Sequence, residues 1–223
     1  MSSRSAPMTR CTGSAMPSIR PDPVLLLMLM LMLPAMLPLG GCAPMAVMGT
    51  AMGARVVHDR RPAQTVLDDE VIETRAMILF FQHQDIAGRS RIRASSFNHR
   101  VLLTGQADDP AVARRFAELI SALPKVREVY NEVEIGPRAG LTQQATDAGI
   151  SARANVAIGG GRGLEGFDMT RVKIITENGV VFLMGLVTPE EGDLTADVVR
   201  RLPGVNRVVK VFEYIDPPPR GAA

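Results

Sequence analysis

The chain has 223 residues, 46% of them hydrophobic and only 4% aromatic, with no tryptophan; this excludes disorder throughout and allows one large domain or two small ones. Of 25 basic and 23 acidic residues, Arg4, Arg10, Arg20 and Asp22 precede Cys42, so from Cys42 onward 22 of each sign cancel. The sequence pI of 8.8 therefore belongs to the leader, and a charge-neutral mature chain has no footprint for nucleic acid.

Residues 24–33 (VLLLMLMLML) form an unbroken apolar run, with Arg20 upstream and Gly40 and Gly41 just before Cys42. Basic, apolar and small segments in that order predict a secretory signal over residues 1–41. The 16 residues from Val24 to Leu39 fall short of a membrane span, which needs ~20, and Pro34 and Pro38 interrupt them. Met16 would start a signal of more ordinary length. Leu39-Gly40-Gly41-Cys42 resembles a bacterial lipobox, which implies an acylated Cys42 as the first mature residue and, with Ala43 beside it, sorting to the outer membrane. Cys11 goes with the leader, so no disulfide forms within the mature chain. Residues 42–65 are read as a lipidated tether, small and apolar to Val57 and then an exposed polar link (HDRRPAQT).

From Asp68 to Gln82, Ile72, Ala76, Leu79 and Phe80 recur at three and four, and Asp68, Asp69 and Glu70 stand where a helix N-terminus favours negative charge. Residues 91–97 alternate, and Asn98-His99-Arg100 turns the chain into the apolar run 101–105, a strand pair. Asp109-Pro110 caps a helix with Val112, Phe116, Leu119, Ile120 and Leu123 on one face, and Pro124 stops it. Residues 126–135 read as one closing strand.

The same order returns from Gln143. Ile150, Ala154 and Ile158 lie at steps of four, strands span 169–176 and 180–187 around the hairpin signal Asn178-Gly179, and Thr188-Pro-Glu-Glu191 forms a capping box. A last strand covers 205–215. Gly105 and Gly185 are 80 apart, Pro124 and Pro203 79 apart. The chain thus contains two copies of an α+β unit, at 66–137 and 142–216, followed by a tail at 217–223 expected to be disordered. Units of about 70 residues are marginal alone, so the two should pack on each other.

These residues resemble the family of dual-BON outer-membrane lipoproteins, BON standing for bacterial osmotic-stress and nodulation. The resemblance spans Cys42 to Ile215 and rests on Val101-Leu-Leu-Thr-Gly105-Gln106, Val129-Tyr-Asn-Glu-Val133 and above all Val172 to Thr188 (VKIITENGVVFLMGLVT). It implies helix-strand-strand-helix-strand domains with the helices packed on a small mixed sheet. It also implies an envelope-integrity factor that faces the periplasm, binds anionic phospholipids of the outer membrane, and takes other envelope proteins as partners. In that family the first helix of the second domain contacts membrane, opening on Asn/Asp-Thr-aromatic-Ile; here that run is Asp147-Ala-Gly149-Ile150, with Gly149 in place of the aromatic. The phospholipid site implied by the resemblance is Gly149, Ile150, Arg153, Val156 and Arg162. The spacing of Ile150, Ala154 and Ile158 also fits a stripe facing the domain core. A protein-interaction scaffold without phospholipid selectivity is the second functional class.

No chemistry-bearing constellation competes. Gly159 to Gly163 lacks the Lys-Ser/Thr of a phosphate loop and reads as a connector. His58, His83 and His99 have no metal-ligand spacing and are read as solvated. Ser95-Ser96 near His99 lie on a strand, and the acidic pairs Asp68-Asp69, Asp108-Asp109 and Glu190-Glu191 stand at helix starts, explained by the dipole. The reading is of a protein that is not an enzyme and needs no cofactor or metal.

Overall fold

The computed structural model describes residues 59–160 and 167–216. In the first unit α1 (Ala63–Gln82) and a one-turn helix α2 (Gln84–Ala87) lead into the hairpin β1 (Ser90–Phe97) and β2 (Arg100–Ala107), followed by α3 (Pro110–Ser121), β3 (Glu128–Asn131) and β4 (Glu134–Ile135). In the second, α4 (Leu141–Gly159) and a 3-10 turn (Met169–Arg171) precede β5 (Val172–Glu177), β6 (Val180–Val187), α5 (Pro189–Arg200) and β7 (Arg207–Tyr214). Both sheets are mixed: β2 runs antiparallel to β1 and parallel to β3 and β4, while β6 runs antiparallel to β5 and parallel to β7. The expected α+β order holds in both copies.

Local chemistry explains why the elements start and stop where they do. Asp109 accepts from the Ala111 amide at 2.8 Å ahead of Pro110, and Thr188 with Glu191 closes a full capping box. Asn98 and His99 (φ 52° and 64°) and Asn178 and Gly179 (φ 53° and 74°) take the positive φ of tight hairpin turns.

Four expectations need correction. The first helix starts at Ala63, directly after Pro62, so Asp68 and Asp69 lie past its first turn and the dipole does not account for them. The closing strand of the first unit is two strands: the Asn131 side chain accepts from the Val133 amide at 3.3 Å, and the chain kinks between β3 and β4. Residues 169–171 wind into a 3-10 turn because Asp168 accepts from the Thr170 amide at 2.8 Å, delaying the strand to Val172. The polar link is not free either. Arg60 makes a bidentate pair with Glu191 of the second unit at 2.7 and 2.8 Å, and Arg61 lies 3.7 Å over the Phe97 ring.

Each sheet is covered on one face by its own helices. Ile72, Ala76, Phe116 and Ile120 close over Ile92, Val101 and Leu103; Ile150, Ala154, Ile158 and Val199 close over Val181 and Leu183. The opposite faces pack on one another. Phe97 and Leu102 meet Phe182, Met184 and Val211 in a third core, so β2 and β6 are buried on both sides, as their unbroken apolar runs require. Polar contacts ring this core. Arg91 and Gln106 donate to Glu177 at 2.5 and 2.8 Å, Lys173 pairs with Glu73, Asn98 donates to Glu213 at 2.8 Å, and Asn178 donates to Glu134 at 3.0 Å.

Candidate functional site

The helix expected to meet lipid is α4, and one buried carboxylate fixes its rotation. Asp147 is 4% exposed and accepts from the Asn178 and Gly179 amides, both at 2.9 Å, and from Gln143 at 3.0 Å. Pinning Asp147 under the β5–β6 turn directs Ile150, Ala154 and Ile158 into the core. The helical repeat of 3.6 residues then leaves Ala145, Gly149, Ala152 and Val156 outward.

The expected site residues divide accordingly. Ile150 is 0% exposed and packs into the second core, so it has no surface to offer a lipid; its spacing was that of the core stripe. Gly149, Arg153 and Val156 share the outward side, with Val156 75% and Leu141 84% exposed. Arg153 donates to the Pro203 carbonyl at 3.1 Å, and one of its terminal nitrogens lies 3.5 Å from where a Cβ on Gly149 would stand. The guanidinium thus lies beside the space an aromatic would take. Arg162 and Cys42 lie outside the described residues.

Electrostatically the helix suits an anionic surface. Its charged residues are Asp147 and Arg153, and the acid is buried beneath the hairpin, so the exposed face presents a cation without a carboxylate. The first helix differs: Asp69 is buried in the same way, Asp68 pairs with Lys125 and Glu73 with Lys173, and Glu70 and Arg75 balance, so no excess cation stands on it. Asp69 plays the part of Asp147 in the first unit, accepting from the Asn98 and His99 amides, both at 2.8 Å, from the Ser96 hydroxyl at 2.6 Å and from Arg61 at 2.7 Å. Sequence reasoning missed both aspartates, although each lies about 30 residues ahead of a turn signal in both copies. His99, expected to be solvated, is half-buried with its ring 3.3 Å from Asp68.

The BON domain family matches residues 68–137 and 146–216, and each match opens one residue before the aspartate that holds its hairpin. The outer membrane lipoprotein DolP of Haemophilus influenzae is 34% identical over 189 residues, 84% of this chain and 96% of that protein. The chain belongs to the family of dual-BON outer-membrane lipoproteins. The 21 kDa hemolysin of Actinobacillus pleuropneumoniae is also 34% identical, over 70% of this chain and 79% of its own. Among solved structures, CdsD of the Chlamydia trachomatis type III secretion system covers 66% of this chain and 63% of its own at 15% identity and a TM-score of 0.26, a likeness too low to carry an argument. The first BON domain thus holds α1 to β4 and the second α4 to β7. Among the described residues no helix is long and apolar enough to cross a membrane.

Proposed function

We propose that this BON lipoprotein is tethered through acylated Cys42, faces the periplasm, and binds anionic phospholipid through the outward side of α4, supporting envelope integrity. The observation that carries the reading is the charge of that face: Arg153 beside exposed Val156 and Leu141, with the helix's one acid buried. A cation near an anionic surface is worth about 1 kcal/mol and an exposed valine adds a similar amount, so binding without an interfacial aromatic is weak and salt-sensitive.

Flotation of the mature chain carrying Cys42→Ser with anionic and zwitterionic vesicles, at low and high salt, tests this. Binding to anionic vesicles that salt weakens, and that Arg153→Glu lowers about tenfold, is the expected result. Unchanged binding by Arg153→Glu would move the site off this helix. No binding to either vesicle would leave the acyl anchor as the membrane contact and favour a protein-interaction scaffold.

A further inference from the structure

Helix α1 has two apolar faces. One enters the first core through Ile72 and Ala76, with Leu79 packed beside them. On the opposite side Leu67, Val71, Ile78 and Phe81 stand exposed at 50, 47, 47 and 62%. With Thr74 they recur at intervals of four, three, four and three, the 3.5-residue period of a coiled-coil seam. A helix apolar on both sides is a helix that packs on both sides.

In heptad terms Val71 and Ile78 take the a positions, and Leu67, Thr74 and Phe81 the d positions. β-branched residues at a favour two parallel strands. The flanking charges agree. Glu70 falls at g and Arg75 at the following e, five residues on, which is the pair that meets across a parallel two-stranded coil; neither side chain makes an ion pair within the described residues. Lipid suits this face less: Asp68, Asp69 and Glu73 are paired with Lys125, Arg61 and Lys173, and the remaining charges, Glu70 and Arg75, cancel, so α1 offers no excess of cations to draw it to an anionic surface. We infer that α1 pairs in parallel with α1 of a second copy of this chain.

Two heptads are too short to form a coiled coil from free peptide, but α1 is already folded against its sheet, so pairing does not bear the cost of helix formation. The result is a weak, reversible dimer. The pairing does not rest on phospholipid binding at α4. Anchoring at Cys42 would start both helices from one surface, the arrangement a parallel pair needs, and raise the local concentration.

In the mature chain with Cys42→Ser, a single cysteine placed by Val71→Cys or by Ile78→Cys is the only thiol. Both variants are expected to form disulfide-linked dimers under mild oxidation, because a positions face their own copies in a parallel pair and an antiparallel pair cannot bring both together. By sedimentation velocity, Glu70→Arg and Arg75→Glu should each weaken dimerisation about fivefold, and the double exchange should restore it. Urea unfolding of the same variants, unchanged from the parent, shows that the fold is intact. Absence of cross-linking at both positions overturns the proposal. So does a polarity-sensitive label at Ile78→Cys that responds to added vesicles and not to protein concentration, since lipid would then be the occupant.

Discussion

Asp69 and Asp147 are each the seventh residue of a helix, and each uses its carboxylate on the backbone of a hairpin turn rather than on the backbone of its own helix. Truncation would leave two turn amides without their acceptor at each site, part-buried at Asn98, His99 and Asn178 and buried at Gly179, at about 1–3 kcal/mol for a donor that water does not reach. Asp147→Ala is therefore expected to lose about 2–4 kcal/mol in urea unfolding, and Asp147→Asn less, because one acceptor oxygen survives. A loss below about 0.5 kcal/mol would show that water replaces the carboxylate at no cost. At Glu191 burial opposes ionisation, but the Arg60 hydrogen bond, the Thr188 amide and the charges of Arg60 and Arg171 outweigh it and hold the carboxyl below its usual 4.5. Its stabilising contribution is then complete above that value and is lost as pH falls through the lower, folded one. Thermal unfolding of Glu191→Gln against the parent should show a deficit at pH 7 that narrows as the pH falls below the carboxyl's usual 4.5. At Gly149 the space for a Cβ is open apart from an ordinary contact with Arg153. Gly149→Tyr is expected to strengthen α4 by about 0.5 kcal/mol and to raise binding to anionic vesicles several-fold in flotation, since a tyrosine suits the membrane interface.

Elements were legible where their signals are local. The capping box at Thr188, the Asp109-Pro110 start and the Asn178-Gly179 turn are each written within four residues, and each formed as expected. Thr188→Ala should cost about 1 kcal/mol in chemical denaturation, with Thr188→Ser nearly neutral, as only the hydroxyl acceptor matters. Illegible were the features that depend on residues far along the chain. The start of α1 is not legible because Asp69, one of the acids that would mark a helix N-terminus, serves a turn about 30 residues away. The exposed seam of α1 is illegible for a related reason: Leu67, Val71, Ile78 and Phe81 interleave with the core stripe, and an apolar residue's spacing does not say which of two stripes it belongs to. Ile150 was ambiguous in the same sense until Asp147 set the rotation of α4. Gly105 sits at φ 114° with the Arg91 carbonyl only 1.9 Å from where a Cβ would be. Its recurrence as Gly185 with a spacing of 80 was visible in sequence, although the crowding behind it was not.

The two BON domains share their third core, and that packing was anticipated from their size but not its faces. Phe182 is buried at this contact, and Phe182→Ala should cost about 3–5 kcal/mol. Because both sheets lose packing together, near-UV circular dichroism and tryptic sensitivity of the two domains should change in one transition; two separated transitions would mean that the domains fold independently. Around that core, the Asn98 amide reaches Glu213 while Asn178 reaches Glu134. Asn98 and Asn178 are equivalent by the spacing of 80, and Glu134 and Glu213 by the spacing of 79. Residue i of one half therefore meets residue j of the other, and j of the first meets i of the second, which is the rule of a two-fold, self-complementary interface. The covalent monomer is built like a homodimer whose subunits have been fused and have then diverged, Phe97 answering to Glu177 across the pseudo-axis. Each half occupies the place a twin of the other would take, so a chain expressing the second domain alone would expose a surface already shaped to receive its own copy.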